Sequence, residues 1–155
     1  MRMTGRFDAG ALLRFATAAC RAAGLDADKA RDVAEVLLDG DLMGHDTHGL
    51  ALLTPYLDSL AAGDMAAEGE PEVLSATPVV QAWNGRKLPG PWLVRRAIEA
   101  ADQAAAVFGL GAVSIAQSHH IAALAAYGPA VAARGRMRVL TCSDPATASV
   151  APWGG

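Results

Sequence analysis

The feature that most limits the possible folds is a series of segments whose apolar residues recur at the spacing of a helix. A polar residue that can cap a helix precedes such a segment, and a glycine follows it. The first stretch follows Asp8 and closes at Gly24, which predicts a capped helix. A second stretch follows directly, and either Asp26 or Asp28 can cap it. Its apolar residues recur on one face at the 3.6-residue period: Ala30, Val33, Ala34, Leu37 and Leu38. The chain therefore starts with helices that pack through one face.

A third apolar stretch spans residues 49–63, and Pro55 fits it if proline lies in the first helical turn. The sequence then changes to a polar, acidic loop through Glu72. Residues 79–83 read as a strand. The Asn-Gly pair at 84–85 predicts a hairpin, because both residues tolerate positive φ.

The remaining pattern alternates helices and strands. A long helix is predicted over residues 90–108, closed by glycine, and a strand over 111–116. A helix over 120–134 and a strand over 137–141 complete the pattern. A helix that joins two strands permits parallel pairing with a right-handed crossover. We expect a mixed α/β fold, with a helical region at residues 1–70 and an α/β region at 71–155.

Charge and composition exclude several classes of function. The 13 basic and 16 acidic residues are interspersed and give a net charge of −3, so no single-sign field is expected that would gather nucleic acid or anionic lipid. Neither a signal peptide nor an apolar run of membrane-spanning length is apparent. We expect a cytoplasmic protein. Cys20 and Cys142 lie far apart and form no metal-binding spacing, so both are expected as reduced thiols.

All four histidines fall in two short segments, residues 44–49 and 117–120. Each segment lies where a predicted element ends or begins, and side chains at such junctions face open space over a rigid scaffold. Imidazole there can exchange a proton near neutral pH. The simpler interpretation is that a histidine at a helix end only caps it or is satisfied by a carbonyl. His45 and His119 are interpreted as orienting or structural residues.

A metal site is a further alternative. His45 and His48 lie three residues apart with Asp46 between them, and His120 and Cys142 can complete a tetrahedral set. However, the chain has neither H-E-x-x-H nor C-x-x-C. It also lacks a Gly-x-Ser-x-Gly elbow around Ser118 and a glycine-rich dinucleotide fingerprint after a first strand, which argues against a serine nucleophile and a Rossmann fold.

Four segments, taken in order, resemble one family. They are Asp-Leu-Met-Gly-His-Asp-Thr-His-Gly-Leu at 41–50, Tyr56 with the stretch 60–63, Gln-Ser-His-His at 117–120, and Thr-Cys-Ser-Asp-Pro at 141–145 followed by Ala-Pro-Trp-Gly-Gly at 151–155. The pattern is similar to the malate/L-lactate dehydrogenase family, which also includes ureidoglycolate and sulfolactate dehydrogenases and piperideine- and pyrroline-carboxylate reductases.

The resemblance implies a fold unrelated to Rossmann enzymes, in which the helical region helps to form a homodimer and the α/β region holds NAD or NADP. It implies hydride transfer between the nicotinamide and a 2-oxoacid, 2-hydroxyacid or cyclic imino acid. It places Thr47 and His48 in the substrate pocket. Ser118 and His120 correspond to the family's catalytic Ser-x-His motif, with His120 beside the cofactor, and Ser143 to a position near the cofactor.

Two departures from the family pattern affect these expectations. Leu52 stands where the family commonly has an arginine that binds the substrate carboxylate, so Arg86, Lys87 or a residue outside this chain takes that role, or the substrate differs. Family members also continue beyond the Pro-x-Gly-Gly loop. We therefore expect a fragment with little or no turnover by itself. The alternative from a different class is a non-catalytic helical module that serves oligomerisation.

Overall fold

The computed structural model describes residues 6–137 and 139–141. Helix α1 covers Ala9–Ala22, and the Asp8 side chain accepts an amide of its first turn at 2.7 Å. Helix α2 covers Ala27–Leu42. Of the two candidate caps, Asp26 is the one used, and it accepts an amide at 2.8 Å. The predicted pair of capped helices is confirmed.

Helix α3 covers Leu53–Ala62, with Pro55 in its first turn as predicted. Two short 3-10 turns precede it, at Asp46–His48 and Leu50–Leu52. Gly63 ends the helix at φ 75°, a left-handed conformation that glycine adopts without a steric penalty. The region between α2 and α3 is therefore a compact double turn that presents the first histidine segment.

A three-stranded sheet follows, with strands β1 (Glu72–Ala76), β2 (Val80–Asn84) and β3 (Ala112–Ala116) in the order β1-β2-β3. β1 and β2 are antiparallel, and β2 and β3 are parallel. Helix α4 (Gly90–Phe108) joins the parallel pair, which it can do because a crossover of this length spans the sheet. The mixed α/β class, the helix at 90–108 and the strand near 111–116 are confirmed.

The sheet departs from the sequence pattern in two places. The loop predicted through Glu72 is followed by a strand that the pattern does not indicate, since β1 covers Glu72–Ala76. The hairpin turn is not the Asn-Gly pair: β2 pairs with the strand before it, through a turn in which Thr77 Oγ1 accepts the Val80 amide at 2.9 Å. Asn84 instead ends β2, and its side chain accepts the Arg86 amide at 2.9 Å. Local turn propensity does not specify which strand becomes the partner.

The predicted helix over 120–134 is wrong. The segment contains a 3-10 turn at Leu124–Tyr127 and one helical turn, α5, at Pro129–Ala132. Proline within the segment lacks the amide that a continuous helix needs, and the backbone before Leu124 is held by tertiary hydrogen bonds described below. Residues 137 and 139–141 contain no strand, so the predicted strand at 137–141 is not found in the residues described there.

The core forms where α1, α2 and α4 pack together. Its buried side chains include the following residues: Ala16, Cys20, Leu25, Val33, Leu37, Leu53, Tyr56, Val94 and Tyr127. Small alanines and branched aliphatics dominate, which allows the helices to approach closely. A second cluster of Leu88, Trp92 and Leu93 covers the start of α4. Among the described residues, no helix is both long and apolar enough to cross a membrane.

Candidate functional site

The first histidine segment is held in place by the end of α2. The Asp41 carboxylate accepts the Leu50 amide at 3.0 Å. A Cβ at Gly49 would collide with that carboxylate, and a Cβ at Gly40 would lie 2.8 Å from the His48 carbonyl oxygen, so both positions require glycine. These contacts fix the turn that carries the exposed side chain of His48.

The second histidine segment is held by the start of α4. The His119 amide donates to the Leu88 carbonyl at 3.2 Å. A Cβ at Gly90 would collide with the carbonyl oxygens of His119 and His120. Only glycine lets the first turn of α4 approach this backbone so closely. The close approach positions His120, whose side chain is exposed, over the helical region.

Backbone strain is concentrated around this second segment. Among the residues that the structure describes, four non-glycine residues have positive φ: Arg86 at 50°, Lys87 at 60°, Gln117 at 57° and Ala122 at 56°. Two of them are joined directly, since the Lys87 amide donates to the Gln117 carbonyl at 2.7 Å. Such conformations are unfavourable for residues with a side chain and persist where tertiary contacts impose them, often at functional sites.

The two histidine segments meet. The His48 and His120 rings stack with centroids 5.7 Å apart and planes inclined by 29°. The two residues are 72 positions apart in the sequence; His48 follows α2, and His120 follows β3. Both side chains are exposed, so the two imidazoles face the same solvent-accessible space. Imidazole is the side-chain group that ordinarily exchanges a proton near neutral pH.

Tyr56 contacts His120 and is only 2% exposed. Its hydroxyl donates to the His120 carbonyl at 2.8 Å and lies 3.0 Å from His120 Nδ1. The Ala122 amide donates to the same Nδ1 at 3.2 Å. Burial raises the pKa of Tyr56 well above its ordinary value, so the hydroxyl stays protonated. The sequence patterns assigned no role to Tyr56, and its place in the motif between the histidine segments was the only signal.

His119 differs from its neighbour in its environment. Its ring meets Tyr56 edge-on, with centroids 5.4 Å apart. Its Nδ1 is buried and has no hydrogen-bond partner among the described residues. Burial lowers the pKa of His119, and the nearby His120 lowers it further, while Asp64 opposes this. His119 is therefore a partly buried, neutral imidazole.

The other expected site residues divide into those near the pair and those elsewhere. Thr47 Oγ1 lies 2.9 Å from His48 Nδ1. The Ser118 hydroxyl donates to the His119 carbonyl at 2.7 Å, so its proton is used locally. His45 is exposed at the start of the 3-10 turn. Ser143 lies outside the described residues.

The candidate cations for a carboxylate have different surroundings. Leu52 is half-buried and packs against the main core, as an aliphatic residue should. Arg86 forms an ion pair with Glu72 at 2.9 Å. Lys87 is exposed, and its backbone is tied to the segment that leads into the second histidine cluster.

The described residues contain no group of three or more histidine, cysteine, aspartate or glutamate side chains that could hold a metal ion. Cys142, a member of the metal set considered from the sequence, lies outside these residues. Cys20 is a buried free thiol, and burial raises its pKa to about 11. A thiol in that state is a poor nucleophile and a poor ligand.

A polar cleft of about 360 Å³ lies elsewhere, between α2 and α4. Its walls carry charged side chains that already pair with one another: Arg95 contacts Asp32 and Glu35, each at 2.6 Å. The cleft contains neither histidine segment. The candidate site is therefore identified by the pairing of His48 with His120 and not by the cleft.

Comparison with known proteins identifies relatives over nearly the whole chain. The chain is 27% identical to hydroxycarboxylate dehydrogenase B of Escherichia coli O157:H7, over 97% of this chain and 42% of that protein. It is 32% identical to (2R)-3-sulfolactate dehydrogenase (NADP(+)) of Chromohalobacter salexigens, over 90% of this chain and 41% of that protein. The chain thus spans well under half the length of these curated relatives.

The fold matches as well. The solved structure of malate dehydrogenase from Entamoeba histolytica superposes with a TM-score of 0.81 at 25% identity, over 86% of this chain and 37% of that one. The family model described as malate/L-lactate dehydrogenase matches residues 7–155. This chain, which brings His48 and His120 together from two distant segments, belongs to the malate/L-lactate dehydrogenase family.

Proposed function

We propose that this chain provides the proton-exchanging part of an NAD- or NADP-dependent oxidoreductase. The reaction transfers hydride between the nicotinamide and a 2-oxoacid, a 2-hydroxyacid or a cyclic imino acid. The observation that supports the proposal most strongly is the stacking of His48 and His120, with centroids 5.7 Å apart. Relatives named as hydroxycarboxylate and sulfolactate dehydrogenases are consistent with this class of substrate.

The roles of the residues follow from the chemistry of reduction. The cofactor, when bound, supplies the hydride. Hydride arrival places negative charge on the substrate oxygen or nitrogen, and His120 donates the proton that neutralises it. In the reverse direction the same imidazole accepts the proton. His48 and Thr47, exposed beside it, hold the substrate through hydrogen bonds.

The donors at this surface fit a small oxo acid. The two imidazoles and the Thr47 hydroxyl can each donate to a carbonyl or carboxylate oxygen. Lys87 is a candidate for the carboxylate-binding cation that Leu52 cannot supply, because its backbone is bonded to the histidine segment. We place Ser118 beside His120 as an accessory catalytic residue and Ser143 near the cofactor.

The proposal extends to organisation and location. Residues 1–70 form the dimerisation and substrate region, and residues 71–155 form part of the nicotinamide-binding region. We propose a homodimer that works in the cytoplasm on a small carboxylate. Nucleic acid and membranes are not partners in this proposal.

Ligand binding tests the proposal directly. NADH, NADPH, pyruvate, sulfolactate and piperideine-2-carboxylate are titrated against the purified chain, while the ring signals of the four histidines are followed by NMR. We expect a nucleotide and an acid to perturb His48 and His120, and the variant His120→Asn to weaken the response. His45→Asn is the matched control. No perturbation of either ring by any nucleotide would contradict the proposal.

Turnover is a separate measurement. We expect little NAD(P)H oxidation by this chain alone with pyruvate or piperideine-2-carboxylate, and little NAD(P)+ reduction with sulfolactate. Robust turnover would support the oxidoreductase proposal and contradict the expected inactivity, provided that His120→Asn abolishes it.

A second candidate function is oligomerisation without catalysis, and the exposed apolar side chains favour it. The exposed set includes the following residues: Phe7, Phe15, Val73, Leu74, Val107, Phe108 and Leu110. Light scattering separates the two functions. A self-associating chain whose histidines respond to no nucleotide or acid would support this alternative.

A further inference from the structure

The inner nitrogen of His120 lies between a fixed donor and a rotatable hydroxyl. The Ala122 amide, at 3.2 Å, can only donate to Nδ1, because a backbone N–H has no acceptor capacity. The Tyr56 hydroxyl, at 3.0 Å, can donate or accept. Nδ1 therefore has a suitable neighbour in either protonation state.

Consider first the imidazole without a proton on Nδ1. The nitrogen accepts the Ala122 amide, and the neutral ring carries its proton on Nε2. The Tyr56 proton lies between two acceptors on the same residue, the His120 carbonyl and Nδ1. The Ala122 contact then stabilises the Nε2–H form, whereas the Tyr56 proton, donated to the His120 carbonyl, contributes little to it.

With a proton on Nδ1, the hydroxyl has the complementary role. Its own proton stays on the His120 carbonyl at 2.8 Å, and its oxygen is left with lone pairs directed at Nδ1–H. The Ala122 bond is lost in this form, but Nδ1–H remains bonded to the Tyr56 oxygen while the ring releases or takes up a proton at Nε2. That arrangement is the one a proton-exchanging imidazole needs.

We propose that Tyr56 is a positioning residue that holds His120 in place and supplies the acceptor for Nδ1–H, so that Nε2 is the nitrogen that exchanges a proton with substrate. This inference rests on the proposed function for the role of Nε2. The contact itself is independent of cofactor or substrate. Tyr56 acts through His120 and touches no reacting atom.

Tyr127 provides a matched control. It is also a buried tyrosine, 4% exposed, and its hydroxyl donates to the carbonyl of Ile121 at 2.5 Å. Both hydroxyls therefore anchor backbone carbonyl groups, but of the two tyrosines only Tyr56 has a described contact with an imidazole nitrogen. If Tyr56 had only a structural role, replacing either tyrosine by phenylalanine should have the same effect on His120.

The test measures the ring ¹⁵N shifts of His120 by NMR in the wild-type chain, Tyr56→Phe and Tyr127→Phe. For the neutral ring, Tyr56→Phe should move the shifts toward the pure Nε2–H tautomer, because the remaining Ala122 contact is a donor. Tyr127→Phe should leave them unchanged. Unchanged shifts in Tyr56→Phe, or equal changes in both variants, would overturn the inference.

A second measurement needs no variant and guards against misfolding. In the wild-type chain, protonation of His120 should shift the Tyr56 ¹³Cζ signal with the same midpoint as the ring nitrogens, while the Tyr127 signal does not follow. A Tyr56 signal that ignores His120 would refute the role. If both tests succeed but no nucleotide binds, the proposed function fails and the hydrogen-bond relationship stands.

Discussion

The Asp41 carboxylate accepts the Leu50 amide at 3.0 Å, across the turn that carries His48. This bond joins the end of α2 to the start of the segment leading into α3, and it leaves no room for a side chain at Gly49. One carboxylate thus fixes both the turn and the glycine within it.

Replacing Asp41 by alanine should destabilise the chain and release the turn. We expect a loss of about 1–2 kcal/mol in the free energy of unfolding, the range for a lost capping bond. Urea denaturation measures the loss, and the His48 ring signals should move. Asp46→Ala, on the exposed part of the same turn, serves as the control. Equal losses in both variants would show that the Asp41 contact is unimportant.

Gly90→Ala should disturb the second histidine segment. The added Cβ would collide with the His119 and His120 carbonyls, so the segment or the start of α4 must shift. We expect destabilisation of about 2–4 kcal/mol, together with a changed His120 environment. Gly10→Ala is the control, because Gly10 is exposed within α1 and an added Cβ would meet only the side chains of Arg14 and Asp8, each at 3.3 Å. A fully stable Gly90→Ala chain would contradict the described packing.

The ion pairs of Arg95 should contribute more to stability than that of Arg31. Arg95 is 30% exposed and links α4 to both Asp32 and Glu35 on α2, whereas Arg31 is 72% exposed and pairs with Glu35 within its own helix. We expect Arg95→Met to lower the free energy of unfolding by about 1–3 kcal/mol and Arg31→Met to lower it much less. Urea denaturation at two salt concentrations would test both. Similar losses would contradict the distinction.

Stability should fall when the pH drops from neutral toward mildly acidic values. Burial lowers the pKa of His119, so the unfolded chain, with an ordinary value of about 6.5, takes up the proton first. The stabilising contribution is complete above that value and decreases as the pH falls through the window below it. His119→Gln should flatten this part of the profile in urea denaturation, whereas His45→Gln should not. If the free energy of unfolding of His119→Gln changed with pH as in the wild-type chain, the pH dependence would arise from other groups.

Sequence patterns determined the elements with local causes. Asp8 and Asp26 cap their helices, Pro55 lies in a first turn, and Gly63 and Gly109 end helices with positive φ. Each of these features depends only on the hydrogen bonds and the φ angles of a few adjacent residues. Clustering also identified the two histidine segments as unusual before any contact was known.

Tertiary structure decided the rest. The strand partner of β2 and the broken helix after His120 depend on contacts with residues distant in sequence, which no local propensity contains. The meeting of His48 with His120, and the contact of Tyr56 with His120, likewise arise from packing of α2, α3 and α4. Residue types give the chemistry available to a chain. Only the fold brings those groups within bonding distance, because proximity depends on how the whole core packs.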